Sequence, residues 1–450
     1  MVNVGRPSHT RALSVWANGV RVGEWRNPAS GAMEFQYDAQ WIASDVGRPL
    51  SLSLPFGLDI KPLRGESVRN FFENLLPDNE AIRQRVGARF KTPSLDAFDL
   101  LEAIGRDCVG ALHILPADAT PEGWDKIEGR VVNDAEIEQH LIDTVSLATD
   151  ATAGNRDADD FRISLAGAQE KTALLRYDDQ WMLPHGPTPT THIFKLPLGL
   201  IGGRGVDMHA SVENEWLCMH ILEAYGLPTA STEILQFGSQ KVLSVERFDR
   251  RFTPDNRTLL RLPQEDFCQA MGLPPHLKYQ HDGGPGLVQI SSRLQLSANG
   301  RKDIETLLSA QILFWMLAAP DGHAKNFSIH LFAEGAFALT PLYDVLSIWP
   351  VEGNGGSQWS WYKTTLAMAV PGSRPRYRMQ EIRRAHFDEM ARRCLYGQNA
   401  TPIVSRIIDE TPAVIEKVRS ELPPDFPSRV AERIFKGLER SAETLASQAA

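Results

Sequence analysis

The sequence has little of what marks secreted, membrane-spanning or nucleic-acid-coating proteins. Its 450 residues contain only four cysteines, Cys108, Cys218, Cys268 and Cys394. They lie far apart, with no CxxC pair and none of the spacing of a disulfide framework, so they read as reduced, buried thiols. The N-terminal "MVNVGRPSHTRALSVWANG" lacks the apolar centre of a signal peptide, and the longest apolar run, Leu307 to Ala319, is too short to span a bilayer. A cytoplasmic protein with no membrane partner is expected. Aromatic residues make up 8% of the chain against 42% hydrophobic residues, an ordinary globular balance with length enough for two or three domains. The net charge of −9 excludes a surface given over as a whole to nucleic acid, so any DNA contact is regional. Internal repeats and low-complexity tracts are absent.

What is present is a mixed pattern of short strands and helices. In "LSVWANGVRVGEW", Asn18 and Gly19 sit between alternating apolar residues, the strongest short-range signal for a two-residue hairpin. Further strands are expected at "FQYD" and "LSLSLP", a helical pattern over "SVRNFFENLLPDNEAIRQRVGARF", and a helix running into a strand at "LLEAIGRDCVGALHILP". Between Asp143 and Asp160 the chain becomes small, polar and acidic, which marks a boundary. Beyond it, "FRISLAGAQEKTALLRY" and "THIFKLPL" read as strands around a tight glycine turn, "VENEWLCMHILEAYG" as a helix and "KVLSVERFDR" as another strand. After about residue 300 the pattern becomes predominantly helical. The expected division is an α/β subdomain over 1–150, a nucleotide-binding lobe over 151–260 and a mainly helical lobe over 261–450.

The chemistry concentrates in "DGHAKN". Asp321 and Asn326 stand five apart, the interval of the aspartate and asparagine in the protein-kinase catalytic loop, where the first accepts a hydroxyl proton and the second binds Mg²⁺. In "PLYDVLS", Asp344 is expected at a strand end as a second ligand, since Mg²⁺ takes hard oxygen donors and bridges phosphates. Upstream, Lys195 ends the strand "THIFK", and Glu213 or Glu215 on the next helix offers it the carboxylate that a kinase lysine needs. The small-residue turn Ala166, Gly167 and Ala168 brings bare backbone near phosphates, or is an ordinary glycine hairpin. "VERFDR" lies where a linker between lobes meets an adenine ring, or is a charged strand end.

Together, "FRISLAGAQEKTALL", "THIFKLP", "VERFDRR", "LRLPQED", "DGGPG", "DGHAKNFS" and "PLYDVLS" resemble the HipA family, the serine/threonine kinase toxins of bacterial HipBA toxin–antitoxin modules. "PLSLSLP", "NFFENLLPD" and "IGRDCVGAL" extend the resemblance into the first region. The resemblance implies an α+β, two-lobed protein-kinase-like fold with an N-terminal α/β subdomain and an all-helical C-terminal lobe. It also implies ATP and Mg²⁺, with Asp321 as catalytic base, Lys195 on the phosphates, and Asn326 and Asp344 as metal ligands. Ala166, Gly167, Ala168, Gln169, Glu170 and Lys171 match the phosphate loop, and Glu246, Arg247 and Phe248 the nucleotide-contacting linker. His323, Lys325 and Tyr343 match positions beside the nucleotide, though His323 is equally suited to bracing the loop. Ser164 matches the serine that the family autophosphorylates to switch itself off. The implied partners are a HipB-like DNA-binding antitoxin, DNA through that complex, and an aminoacyl-tRNA synthetase, foremost glutamate-tRNA ligase, whose phosphorylation stalls translation and arrests growth. The cluster Arg374, Arg376, Arg378, Arg383, Arg384, Arg392 and Arg393 is either a DNA-phosphate contact or a solvated helix face. Two rival functions are a kinase of small molecules and a non-catalytic co-repressor.

Overall fold

The computed structural model describes residues 10–29, 31–57, 59, 61–145 and 164–448. Most of the acidic stretch 143–160, and Phe161 after it, lie outside them.

The chain opens with the expected hairpin, strands Arg11–Ala17 and Val20–Asn27. Asn18 and Gly19 take φ of 45° and 78°, the left-handed pair that a two-residue turn between twisted strands requires. The Asn18 amide also exchanges two hydrogen bonds with the backbone of Arg261, each 2.9 Å long. Strands Glu34–Tyr37, Leu63–Arg64 and His113–Pro116 complete a five-stranded antiparallel sheet. Helices Glu66–Glu73 and Ala97–Ile104 cover one face, with Trp25 stacked on Phe72 at 3.9 Å and Phe35, Phe71 and Phe98 around them.

Two local expectations change here. "LSLSLP" forms no strand: the Ser51 and Ser53 hydroxyls donate to the Gln269 carbonyl and the Leu52 N–H to the Glu265 carboxylate, bonds that curl the segment onto the third region. The helical pattern over 67–90 is two helices, the second being Glu80–Phe90 with Asn79 as its cap. Between them runs the short link from Asn74 to Asp78.

A second sheet has six strands in the order Thr232–Phe237, Gln240–Glu246, His192–Lys195, Lys171–Tyr177, Gln180–Pro184 and Gly129–Val131. Helices Asp134–Val145 and Ser211–Ala224 pack against it. Because Gly129–Val131 and Asp134–Val145 belong to this layer, the change from first to second sheet falls between Pro116 and Gly129, earlier than residue 150.

The third region is not all-helical. Its largest core gathers helices Gly300–Met316, Arg384–Arg393, Thr401–Ser420 and Ser428–Ser447. It also holds a three-stranded sheet of Gln264–Asp266, Ser328–Leu331 and Phe337–Leu339, and a hairpin of Thr365–Val370 with Arg376–Arg378. Several of these strands are short or apolar on both faces, so they show no period-2 alternation to separate them from helix.

A buried seam of charge joins the first region to the second. Asp107 accepts hydrogen bonds from Arg247 at 3.0 Å, Arg250 at 2.9 Å and the Thr190 hydroxyl at 2.7 Å, and Asp249 accepts from Arg247 and from the Gly110 N–H. All four cysteines are buried free thiols, and among the described residues no helix is long and apolar enough to cross a membrane.

Candidate active site

Lys195 is the last residue of an interior strand, paired with Leu243 on one side and Lys171 on the other. Its Nζ lies 2.6 Å from Glu215 Oε1 and 2.5 Å from Asp344 Oδ1. Helix Ser211–Ala224 decides between the two glutamates, since Glu213 turns to the Lys241 ammonium, 2.5 Å away. Burial alone lowers the Lys195 pKa, but the charges of Asp344 and Glu215 outweigh it and raise the group above its ordinary range. Burial lifts the Glu215 carboxyl to about 7 against the opposing pull of Lys195. Asp344 is driven well below the carboxylate range because the attraction of Lys195 and Lys171 exceeds the cost of burial.

Asp344 does not end a strand. It stands in a loop at φ 64°, a conformation unfavourable for a residue with a Cβ, beyond an isolated bridge between Thr229 and Leu342. That turn aims Oδ1 at Lys195 and Oδ2 at the Asn326 amide, 2.8 Å away. Asn326 closes the turn Ala324–Asn326, its Oδ1 accepting from the His323 N–H at 3.3 Å. Asp321 lies at the exposed edge of the same loop and accepts from the Tyr279 hydroxyl at 2.8 Å. The surrounding protein, with the Asp344 charge, raises its carboxyl to about 6, while the Tyr279 bond pulls the other way.

The loop from Ala166 to Lys171, expected to receive phosphates, lies beside this cluster. Gly167 takes φ 106°, and a Cβ there would meet Lys171 Nζ at 2.5 Å. Lys171 pairs with Lys195 in register across the strands and donates to the Ala166 carbonyl at 2.8 Å. Burial, then the Lys195 charge, lowers its ammonium to about 8.

Lys195, Asp344 and Asn326 therefore form one hydrogen-bonded group, with Asp321 and Lys171 adjoining. Other expected positions point elsewhere. Lys325 Nζ reaches Asp78 and Asn74 of the first region, and the Arg247 guanidinium is sealed in the seam. Gln169 donates to the Leu196 carbonyl and Glu170 pairs with Arg85, so Ala166 to Glu170 can offer a nucleotide backbone rather than charge. Glu246 is exposed, and the Phe248 ring stands 5.8 Å from that of Tyr343, whose hydroxyl braces the loop by donating to the Lys325 carbonyl. His323 is buried with Nδ1 unpartnered among the described residues, and burial lowers its ring to about 3. The Ser164 hydroxyl is buried and donates to the Leu75 carbonyl at 2.7 Å. Sequence reading did not single out Asn74, Asp78, Lys278 or Tyr279; only the quoted "NFFENLLPD" touched the first two. The arginine cluster is not one helix face: Arg376 and Arg378 lie on the hairpin, while Arg392 and Arg393 pair with Glu389.

The donors present suit Mg²⁺. A carboxylate and a carboxamide meet, but Asn326 turns Nδ2 to Asp344 and Oδ1 to the His323 N–H, so the amide oxygen must turn outward to serve as a ligand; among the described residues no group of three or more acidic, imidazole or thiol side chains is placed to hold a metal. A hard cation held this way draws its remaining ligands from phosphate and water.

Fold and site together define a kinase-like α+β scaffold, with a lysine–glutamate pair between a sheet and a helix and an aspartate–asparagine loop beside it. Residues 13–115 match the HipA N-terminal domain and residues 163–418 the HipA-like C-terminal domain. The chain belongs to the HipA family. It is 34% identical over 341 residues to a putative kinase, Y4mE, of Sinorhizobium fredii, spanning 75% of this chain and 77% of that one. To the serine/threonine-protein kinase toxin HipA of Shewanella oneidensis it is 28% identical over 438 residues, 92% of this chain and 91% of the relative. Its fold matches HipA in the Shewanella oneidensis complex of HipA, HipB and operator DNA, with TM-score 0.77 over 97% of both chains at 24% identity.

Proposed function

We propose that the chain is an ATP-dependent serine/threonine-protein kinase toxin, and the convergence of Lys195, Glu215, Asp344 and Asn326 carries that reading. Lys195, held by Glu215, positions the ATP phosphates together with the backbone of Ala166 to Lys171. Asn326 and Asp344 would hold a Mg²⁺ ion, which would supply charge neutralisation for the phosphate oxygens. Asp321, at the open edge, orients the substrate hydroxyl and takes its proton. The bond between the γ-phosphorus and the bridging β–γ oxygen breaks, the hydroxyl oxygen bonds to phosphorus, and ADP leaves. The three-part division assigns the first region to an accessory subdomain and the other two to the kinase lobes.

The relatives' names support a toxin partnered by a HipB-like antitoxin, with DNA reached through that complex; Arg374, Arg376 and Arg378, with Arg383 and Arg384, are the assigned phosphate contacts. Ser164 is assigned as the autophosphorylation site. Its hydroxyl must leave the Leu75 carbonyl to react, and about two added negative charges beside the loop then oppose the phosphates of ATP. The cellular target is assigned to an aminoacyl-tRNA synthetase, foremost glutamate-tRNA ligase, modified in the cytoplasm with growth arrest and persistence as the outcome.

The test is Asp321→Asn with γ-labelled ATP and a lysate of the host. Wild-type protein is expected to label a protein band, and the variant to lose about 10³-fold of that transfer while binding MgATP as before. Undiminished transfer by the variant, or label entering only small molecules, overturns the assignment.

A further inference from the structure

The link from Asn74 to Asp78 belongs to the first region, yet it touches both loops of the site. Pro77 bridges Gly167, and the Asp78 N–H donates to the Gly167 carbonyl at 3.0 Å, which ties the link to the phosphate loop. The Asp78 carboxylate takes two ammonium groups, Lys325 Nζ on Oδ1 and Lys278 Nζ on Oδ2, each at 2.9 Å. Lys325 precedes Asn326 in the catalytic loop and is nearly sealed from water. Its other contacts are Asn74 Oδ1 at 3.1 Å, the Asn74 carbonyl at 3.4 Å and Asp266 at 4.0 Å. Lys278 precedes Tyr279, whose hydroxyl holds Asp321. A single residue outside both lobes thus fastens the loop that receives phosphates to the loop that carries the base.

Resting on the kinase reading above, we infer that Asp78 is a positioning residue that sets the phosphate loop and the catalytic loop at a fixed separation. Its backbone N–H holds Gly167, and its side chain holds Lys325 and, through Lys278 and Tyr279, the orientation of Asp321. A carboxylate is required because two ammonium groups must be held at once from one short side chain, and an amide offers only one acceptor oxygen.

The experiment uses the full chain, γ-labelled MgATP and a lysate of the host, following transfer of the label into protein. Asp78→Asn is expected to lower kcat by about 10² while KM for ATP stays within about threefold, because displacement of the base by about an ångström costs turnover before it costs nucleotide binding. Lys278→Met cuts one arm and is expected to cost about tenfold in kcat. The double variant is expected to be no worse than Asp78→Asn, since both act through one chain of contacts. Arg64→Gln, which breaks an exposed pair with Glu34 in the same region, is expected to leave kcat unchanged. Hydrogen exchange supplies a readout independent of turnover. In Asp78→Asn, amides of residues 164–171 and 321–327 are expected to exchange faster while helix Ser428–Ser447 does not. A kcat unchanged in Asp78→Asn, a rise in KM alone, or exchange unaltered in both loops overturns the inference. Should the wild-type chain transfer no label to protein, the kinase reading fails instead, and exchange alone decides whether Asp78 couples the loops. Should Asp78→Asn not fold, Lys278→Met decides, by its kcat and by faster exchange confined to residues 321–327.

Discussion

The seam and the cleft are both clusters of acids and bases, built to opposite ends. At the seam, two aspartates face three arginines with side chains between 1% and 7% exposed, and the carbonyls of Cys108, Gly110 and Pro187 take up further N–H groups. In the cleft the Asp344 side chain is 35% exposed, Asp321 stands at the rim, and a buried histidine nitrogen waits without a partner. The seam spends its ions on one another and is closed to water, even though the Arg250 and Arg261 Nε atoms find no hydrogen-bond partner among the described residues. The cleft holds its acids with a few lysines, Lys195 between Glu215 and Asp344, at a surface that solvent reaches. Charge content alone does not separate the two clusters; what separates them is whether solvent reaches the charged groups, as it does Asp344 and Asp321 and does not Asp107 and Asp249.

That contrast can be broken most sharply at Asp107. Asp107→Asn leaves three guanidinium groups packed around an amide, and is expected to lower unfolding free energy by about 3–5 kcal/mol, read as a shift in the denaturant midpoint. Acid tests the same residue without mutation. Burial works to raise the Asp107 pKa, but the three arginines pull it far below its ordinary 3.8. An acid whose folded pKa is depressed contributes stability above the unfolded pKa and loses it as pH falls toward the folded one. The urea midpoint is therefore expected to respond to this residue little between pH 7 and 5 and to fall below about pH 4, by more in the wild type than in Asp107→Asn.

The cleft is expected to answer in rate. Glu215→Gln keeps an oxygen for Lys195 but removes the charge, and about a tenfold loss of kcat/KM is expected, with the unfolding midpoint moved by less than at the seam. Gly167→Ala is expected to have the smallest effect: about 1 kcal/mol of backbone strain at φ 106°, and a several-fold rise in KM for ATP as Lys171 is pushed from the Ala166 carbonyl.

The sequence made much of the cleft legible because its parts are local. The five-residue interval from Asp321 to Asn326, the strand ending at Lys195 and the glycine of the phosphate loop are each set by a few neighbours. The Asn-Gly hairpin was legible for the same reason. What stayed hidden depends on distant partners. Arg247 reads as part of a nucleotide-contacting linker, or as a charged strand end, until Asp107, 140 positions earlier, claims it. Lys325 reads as facing the nucleotide until Asp78 claims it, and Ser51 and Ser53 give "LSLSLP" a strand's alternation while their hydroxyls serve a helix over two hundred positions away.

Asn18 shows how much can rest on one turn residue. A Gly-Gly turn would fold the hairpin equally well, yet would leave the Arg261 backbone without the side-chain amide that answers it on both sides. The position therefore carries two instructions, how to reverse the chain and where to dock the result, and a sequence designed for the first alone would produce a sound piece that no longer knows its place in the whole.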